Sequence, residues 1–345
     1  MTEKKRTMRW LAVLLALAVA ATLALAGCGG SGSGDEGDGA AAPAADEQSL
    51  MDVDPGPVKI GTLATEDILP MWVAADEGLF ADAGLDVEVV PFQSATELIA
   101  GVTSGDVQMA MTDPMVTASM YAGGTDVRIV WVTLGMDASQ GRFGIMTGPD
   151  SGIESLEDLA GVPIGVGSNT ILEYVMDKLM EQAGIPEDQI VVEELQKLPV
   201  RFQAMVSGDV KAAALPGPLL ALGEASGCVL VADDTQGDNI SQSVMIMRSD
   251  FAETEQGAAA LARIAPIWDE AADLINANPE NYRALLAKNA NLSEEVADTY
   301  PICEYPHAQL PASDMVDPVL DWMLDKGYLT EPLSYDPITG TFEKA

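Results

Sequence analysis

From residue 58 onward, short apolar segments alternate with amphipathic segments of helical period, and this alternation constrains the fold more than any other feature. Residues 58–63 and 85–91 are the first two apolar segments, and a helical segment, 70–83, lies between them. Strands that are connected through helices pair in parallel within α/β sheets. The pattern therefore predicts an α/β fold with a mostly parallel sheet.

The same unit occurs twice, which indicates two similar lobes. Ser-Gly-Asp at 104–106 joins a helical segment to the strand 107–111, and Ser-Gly-Asp at 207–209 joins another to the strand 210–215. In both, glycine stands where the chain turns sharply after a helix. Three later helical segments are expected to pack on a lobe without adding a third sheet: 253–276, 279–289 and 313–326.

The first residues have the arrangement of a bacterial lipoprotein signal. Basic residues precede an apolar run, 10–26, which ends at Leu25, Ala26, Gly27 and Cys28. The run is at the lower limit for a membrane span and ends in small residues, as in a cleaved export segment. Ala24 to Ala26 also fits a plain secretory cleavage site, but the cysteine directly after favours lipid attachment at Cys28. We expect a lipid-anchored protein on the extracytoplasmic face of the cell membrane.

Composition excludes several classes of function. Residues 29–57 are mostly Gly, Ser, Ala, Asp, Glu and Pro, which predicts a flexible tether. A formal charge of −37 argues against nucleic-acid or lipid-surface binding by the body. His307 is the only histidine, no nucleophile motif such as G-x-S-x-G accompanies it, and the cysteines lack metal-binding spacing. We therefore expect no enzyme, no catalytic residue, no metal and no cofactor.

Seven segments carry a resemblance to a known family. They are KIGTL at 59–63, VAADEGLF at 73–80, GLDVE at 84–88, SGDV at 104–107, SLEDLAG at 155–161, IGV at 164–166 and AALPGP at 213–218. Together they resemble the sulfonate/nitrate/taurine and thiamine-precursor group of solute-binding proteins of ABC importers. The resemblance implies a type II periplasmic-binding-protein fold, in which two Rossmann-like lobes are joined by two crossing segments.

The N-terminal signals together with this fold predict a division of the chain into four parts. They are a signal peptide (1–27), a tether (28–57), lobe 1 (58–140 plus 241–345) and lobe 2 (141–240). We place the crossing segments near 135–143 and 233–242, both of which are short of large apolar residues. Cys228 and Cys303 then fall in different lobes, so thiols are favoured over a disulfide.

Ligands of open α/β sheets bind at the carboxyl ends of strands, where loops and helix N-termini present backbone N–H groups. The candidate ligand-binding residues at these places are Thr65, Glu66, Asp67, Ser94, Thr112, Asp113, Arg142, Ser168, Asn169, Thr170 and Pro216. The three residues at 168–170 begin a helix, where they suit an anionic or amide oxygen or serve simply as an N-cap.

The charged and aromatic candidates do not determine the chemical class of the ligand. Arg142 and Arg201 suit a sulfonate or carboxylate, or form ordinary salt bridges. Glu66 and Asp67 suit an amine or aminopyrimidine better than an anion. Three aromatic residues could stack on a ring or simply pack in a core: Trp72, Trp131 and Tyr174.

The resemblance implies a substrate-binding lipoprotein that acts as a monomer. It would capture a small polar solute of the sulfonate, taurine or nitrate kind by hinge closure, and deliver it to a membrane permease driven by an ATPase. A thiamine-precursor aminopyrimidine or another amine-bearing solute is the alternative ligand. A secreted enzyme or a structural lipoprotein fits the sequence less well.

Overall fold

The computed structural model describes residues 47–140 and 142–344, so the predicted signal peptide and Cys28 lie outside the described residues. The strands are β1 (Val58–Thr62), β2 (Val87–Pro91), β3 (Met109–Thr112), β4 (Val127–Leu134), β5 (Phe143–Thr147), β6 (Pro163–Val166), β7 (Val191–Glu194), β8 (Ala212–Pro216), β9 (Val229–Asp233), β10 (Ser243–Arg248), β11 (Leu333–Tyr335) and β12 (Phe342–Lys344).

Helices connect and cover these strands. They are α1 (Glu47–Leu50), α2 (Leu69–Asp76), α3 (Leu79–Asp82), α4 (Ala95–Ser104), α5 (Pro114–Ala122), α6 (Ile171–Gln182), α7 (Leu198–Ser207), α8 (Gly217–Ala225), α9 (Ser249–Ala252), α10 (Glu255–Ala277), α11 (Arg283–Asn289), α12 (Glu294–Ala297) and α13 (Ser313–Asp325). Short 3₁₀ turns lie at Glu66–Ile68, Glu157–Leu159, Glu187–Gln189 and Pro279–Tyr282.

Two five-stranded sheets, one in each lobe, share one topology. The first has the order β2-β1-β3-β10-β4 and the second the order β7-β6-β8-β5-β9. In the first sheet β1 is parallel to β2 and β3, whereas β10 is antiparallel to β3 and β4. In the second, β6 is parallel to β7 and β8, whereas β5 is antiparallel to β8 and β9. The predicted two-lobed α/β fold is confirmed.

The prediction of a mostly parallel sheet is wrong, because each sheet contains as many antiparallel as parallel pairings. Strands β5 and β10 each follow a crossing from the other lobe. Each enters its sheet at the edge where the parallel strands end, so that Val244 pairs with Thr112 and Phe143 pairs with Pro216. A strand that enters from this edge must run against its neighbours.

The chain crosses between the sheets at 135–142 and 234–242, close to the predicted crossing segments. The two segments contact each other, since Asn239 Nδ2 donates a hydrogen bond of 2.7 Å to the Gly135 carbonyl. Gly135 has a φ of +93°, and a Cβ there would lie 2.2 Å from the Ser241 carbonyl oxygen. Glycine is therefore required where the two crossings meet.

Aromatic packing anchors the long helix α10 on the first sheet. Trp268 of α10 contacts Trp131 of β4 with the ring centroids 5.8 Å apart, and both side chains are fully buried. Helix α13 differs from the prediction that it packs on one lobe. Besides packing on α5, it contacts α6, where Trp322 Nε1 donates to Asp177 Oδ2 at 3.2 Å.

Two further elements differ from the sequence predictions. Strands β11 and β12 form a small third sheet that buries Leu333, Tyr335 and Phe342, and Ile129 N donates to the Gly340 carbonyl at 2.8 Å. The last part of the predicted tether lies against the body: it contains helix α1, and Arg263 Nη1 donates to the Val53 carbonyl at 3.1 Å. A flexible tether therefore does not extend through residues 47–57.

None of the helices in the described residues is both long and apolar enough to cross a membrane. Within the same residues, neither Cys228 nor Cys303 belongs to a disulfide bond; Cys228 is buried and Cys303 is half-buried.

We predict that Gly135→Ala destabilises the protein more than Gly124→Ala. Both glycines have left-handed φ angles, +93° and +89°, but a Cβ at Gly124 meets nothing within 4 Å. The left-handed conformation alone costs about 1–2 kcal/mol for alanine. Overpacking against the Ser241 carbonyl adds about 1–3 kcal/mol. Urea unfolding of both variants measures the difference, and equal free energies of unfolding would contradict the prediction.

Candidate functional site

A cavity of about 50 Å³ lies between the two sheets. It is several times larger than the roughly 10–15 Å³ that one water molecule needs. Both lobes contribute to its walls, through the ends of β3 and β8 and the starts of β5 and β10. The lining residues of this interlobe cavity are Leu63, Thr65, Asp67, Ala95, Met111, Thr112, Asp113, Phe143, Thr170, Ile171, Leu172, Gln196, Leu198, Arg201, Pro216 and Ser243.

The structure brings together about half of the predicted ligand-binding residues. Those that line the cavity are Thr65, Asp67, Thr112, Asp113, Thr170 and Pro216. Those that lie outside the lining are Glu66, Ser94, Arg142, Ser168 and Asn169. Ser94 is the N-cap of α4, where its side chain accepts a hydrogen bond of 3.2 Å from Glu97 N. Ligand binding by any of these residues stays a prediction.

Two buried carboxylates form the first-lobe side of the cavity. Asp67 follows β1 and accepts a hydrogen bond of 2.6 Å from Ser243 Oγ. Asp113 is the N-cap of α5, and its Oδ1 accepts from Val116 N at 2.8 Å. Its Oδ2 accepts from Ile171 N of the second lobe at 3.3 Å. Burial raises the pKa of both carboxyl groups, that of Asp113 to about 6.

Two more buried acids lie behind this pair. Glu66 Oε1 accepts a hydrogen bond of 2.6 Å from Tyr300 Oη, and burial together with the charge of Asp67 raises the pKa of Glu66 to about 8. Asp234 accepts from Phe143 N at 2.8 Å, and burial raises its pKa to about 6. Among the ion pairs of the described residues, none includes Glu66, Asp67, Asp113 or Asp234. Asp67 and Asp113 therefore line the cavity without a cationic partner among the described residues.

The predicted anion site at 168–170 is occupied by the protein's own carboxylates. Ser168 N donates to Glu194 Oε2 at 3.3 Å, and Asn169 N donates to Glu173 Oε2 at 2.7 Å. The Thr170 hydroxyl donates to the Gly167 carbonyl at 2.7 Å. The amides of Ser168 and Asn169 are therefore already hydrogen-bonded within the protein, and Thr170, the N-cap of α6, forms no side-chain capping hydrogen bond.

The two arginines differ in their surroundings. Arg142 pairs with Asp233 at 2.9 Å and Glu224 at 3.4 Å, as in the salt-bridge alternative. Arg201 lines the cavity with only 2% of its surface exposed, and donates to three backbone carbonyl groups at 2.8–3.2 Å. Burial lowers the pKa of Arg201 to about 10. The hydrogen bonds of Arg201 thus connect the loop after β7 with β8.

The aromatic candidates do not line the cavity. Tyr174 packs edge-on against Trp322 with the ring centroids 5.4 Å apart, while Trp72 and Trp131 are buried in the core of the first lobe. The cavity instead contains residues that sequence reasoning missed. Most are apolar, such as Met111, and their composition does not distinguish them from core residues. The sequence offers no signal for Ser243, which lies 176 positions from its partner Asp67.

Polar contacts join the lobes at the rim of the cavity. Lys197 Nζ lies 2.7 Å from Glu97 Oε1, and Leu198 N donates to the Gln93 carbonyl at 3.2 Å. The Thr96 hydroxyl donates to Gln196 Oε1, also at 3.2 Å. The structure therefore represents a state in which the two lobes contact each other.

We predict that the protein is less stable at about pH 8.5 than at about pH 5, in part because of Glu66. A carboxyl group whose pKa rises on folding from 4.5 to about 8 contributes stability that is full below 4.5 and is lost as the pH rises through 8. Glu66→Gln removes this pH-dependent contribution to the free energy of unfolding. The variant should be close to the wild type near pH 5 and exceed it near pH 8.5 by up to about 5 kcal/mol, since one pKa unit corresponds to about 1.4 kcal/mol.

Thermal or urea unfolding across this pH range provides the measurement. Glu253→Gln is the control, because the side chain of Glu253 is 71% exposed. The same pH dependence in Glu66→Gln as in the wild type would show that Glu66 does not contribute.

Comparison with solved structures shows the same fold. The alkanesulfonate-binding protein SsuA from Xanthomonas axonopodis pv. citri, bound to MOPS, is 17% identical with a TM-score of 0.69, over 81% of this chain and 96% of that chain. The periplasmic aliphatic sulphonate-binding protein SsuA from Escherichia coli is 18% identical with a TM-score of 0.64, over 80% and 94%. The periplasmic nitrate-binding protein NrtA from Synechocystis PCC 6803 is 13% identical with a TM-score of 0.64, over 81% and 83%.

No curated protein sequence matches this chain. The sequence profile of a family described as NMT1/THI5-like matches residues 65–281, which is more than half of the chain. The profile spans strands of both sheets and all the candidate residues between Thr65 and Pro216. The chain therefore belongs to the NMT1/THI5-like family, and it has the two-lobed fold of periplasmic solute-binding proteins.

Proposed function

We propose that this protein is the extracytoplasmic solute-binding component of an ABC importer, and that it holds a small polar solute in the interlobe cavity. The observation that carries the proposal is the position of the cavity, at the carboxyl ends of strands from both sheets and beside the two crossing segments. The named structural neighbours are binding proteins for sulfonates and nitrate, which supports a binding role without catalysis.

Hinge closure is the proposed mechanism of capture. The rim contacts between the lobes are few and polar, and the Lys197 and Glu97 side chains are 48% and 38% exposed. Exposed ion pairs contribute only about 0–1 kcal/mol, so this rim contact opens at little cost. Away from the rim, α13 also packs on α6 of the second lobe, where Trp322 contacts Tyr174 and Lys326 pairs with Asp177 at 3.0 Å, and these contacts add to the cost of opening. A solute that contacts both walls of the cavity would favour the closed state, as two-state hinge proteins require.

To deliver the solute to a membrane permease, the protein must be held beside the membrane. The Cys28 lipid attachment proposed from the sequence would hold the body near a permease and its ATPase, with the solute passed on when the lobes open. We propose a monomer, because one chain supplies both walls of the cavity. Sulfonates and nitrate are the solutes that the named neighbours suggest. Taurine is added by the sequence resemblance alone.

We predict that Cys28→Ala moves the protein from the membrane fraction to the soluble extracytoplasmic fraction, because a lipid chain at this residue provides the anchor. Cys228→Ala is the matched control: it removes a buried thiol of the body and should leave the protein in membranes. Fractionation followed by immunoblotting measures both. A Cys28→Ala protein that stays in membranes would exclude the lipid anchor.

We predict that Lys197→Glu shifts the solute-free protein toward an open state, because it places like charges across the rim. The double variant Lys197→Glu with Glu97→Lys restores opposite charges and should restore the wild-type shape. Lys178→Glu is the control, since Lys178 pairs with Glu181 of the same helix at 2.9 Å. Small-angle X-ray scattering measures the radius of gyration. An unchanged radius in Lys197→Glu would show that this rim contact does not hold the lobes together.

A further inference from the structure

The first-lobe side of the interlobe cavity presents negative charge without a matching cation. Asp67 and Asp113 both line the cavity, and each is about 95% buried. No lysine or arginine of the described residues forms an ion pair with either. Buried carboxylates are ordinarily paired, so this arrangement is costly without a ligand.

A second observation points to a ligand at the same place. Thr65 lines the cavity and is 4% exposed, yet its hydroxyl has no hydrogen-bond partner among the described residues. A buried hydroxyl ordinarily forms at least one hydrogen bond. It provides a third oxygen acceptor beside the two carboxylates. A group with several N–H donors would satisfy all three.

An anion does not suit this side of the cavity. The backbone N–H of Ile171, at the start of α6, already donates to Asp113 Oδ2 at 3.3 Å. Arg201, the arginine in the lining, donates to three backbone carbonyl groups. A nitrate or sulfonate that approached Asp67 and Asp113 would meet like charge. Any anionic part of the solute therefore lies away from Asp67 and Asp113.

From these observations we infer that the solute carries a cationic nitrogen, a protonated amine or an amidinium, which Asp67 and Asp113 bind together with the Thr65 hydroxyl. The inference rests on the proposed function and specifies its solute class. An organic cation suits the site better than a metal ion, because no group of three or more acidic, histidine or cysteine side chains in the described residues is arranged to hold a metal. Taurine and aminopyrimidines belong to the inferred class once protonated, whereas nitrate and simple alkanesulfonates do not.

The test compares amines with analogues that lack the nitrogen. Thermal unfolding and calorimetry of the purified full-length protein in detergent are measured with taurine and ethanesulfonate, β-alanine and propionate, an aminopyrimidine and the matching pyrimidine, simple amines and amidines, and nitrate. At least one amine should bind, and its analogue should bind about 30-fold more weakly or worse, as for loss of one partner of a buried charge pair.

The outcomes separate this inference from the proposed function. Binding of ethanesulfonate or nitrate as tightly as of any amine would overturn the inference and leave the importer proposal in place. Binding of no member of the panel would contradict both.

Two variants test the residues. Asp113→Asn removes the charge but keeps an N-cap side chain on α5, and should weaken amine binding by about 30-fold or more. Asp67→Asn should act in the same way, and provides an independent test if Asp113→Asn does not fold. Asp234→Asn is the matched control, because Asp234 is a buried carboxyl group outside the cavity lining. Its affinity should stay within about 3-fold of the wild type, whereas unchanged affinity in both folded site variants would overturn the assignment.

Discussion

The two chain crossings are the constraint on which the rest of the structure depends. Each crossing enters its sheet at the edge where the parallel strands end, so β5 and β10 run antiparallel and place Phe143 and Ser243 in the cavity lining. The same edges carry the loops and helix starts that supply polar side chains. The direction of the crossings therefore determines both the topology of the sheets and the composition of the cavity. The glycine at 135 allows the crossings to contact each other closely.

Local signals in the sequence predicted the units of this fold but not their assembly. Alternating apolar and amphipathic segments predicted the two lobes, because each unit is encoded within about 30 residues. The antiparallel strands were missed because the direction of a strand depends on the edge from which the chain enters the sheet. No local sequence pattern encodes this edge. The hairpin β11–β12 was missed because its three-residue strands are too short for a periodic signal.

The sequence could predict those residues of the candidate site that lie at the ends of predicted strands. Thr65, Asp67, Thr112 and Asp113 follow or end strands of the first sheet, and all four line the cavity. The orientation of a long side chain depends on distant partners, so the sequence offered a salt bridge for Arg142 as one alternative but not its partners Asp233 and Glu224. The same holds for the amides of Ser168 and Asn169, which bind carboxylates of the protein itself.

Asp113 connects the chemistry of the cavity to the relative position of the lobes. One of its oxygens caps α5 in the first lobe, and the other accepts from Ile171 N at the start of α6 in the second. The positive end of the α6 dipole thus attracts a carboxylate of the opposite lobe. A cationic nitrogen beside Asp113 would lower the cost of burying its charge and so strengthen this contact between the lobes. Solute binding and closure would then depend on one carboxylate, because the same charge serves both.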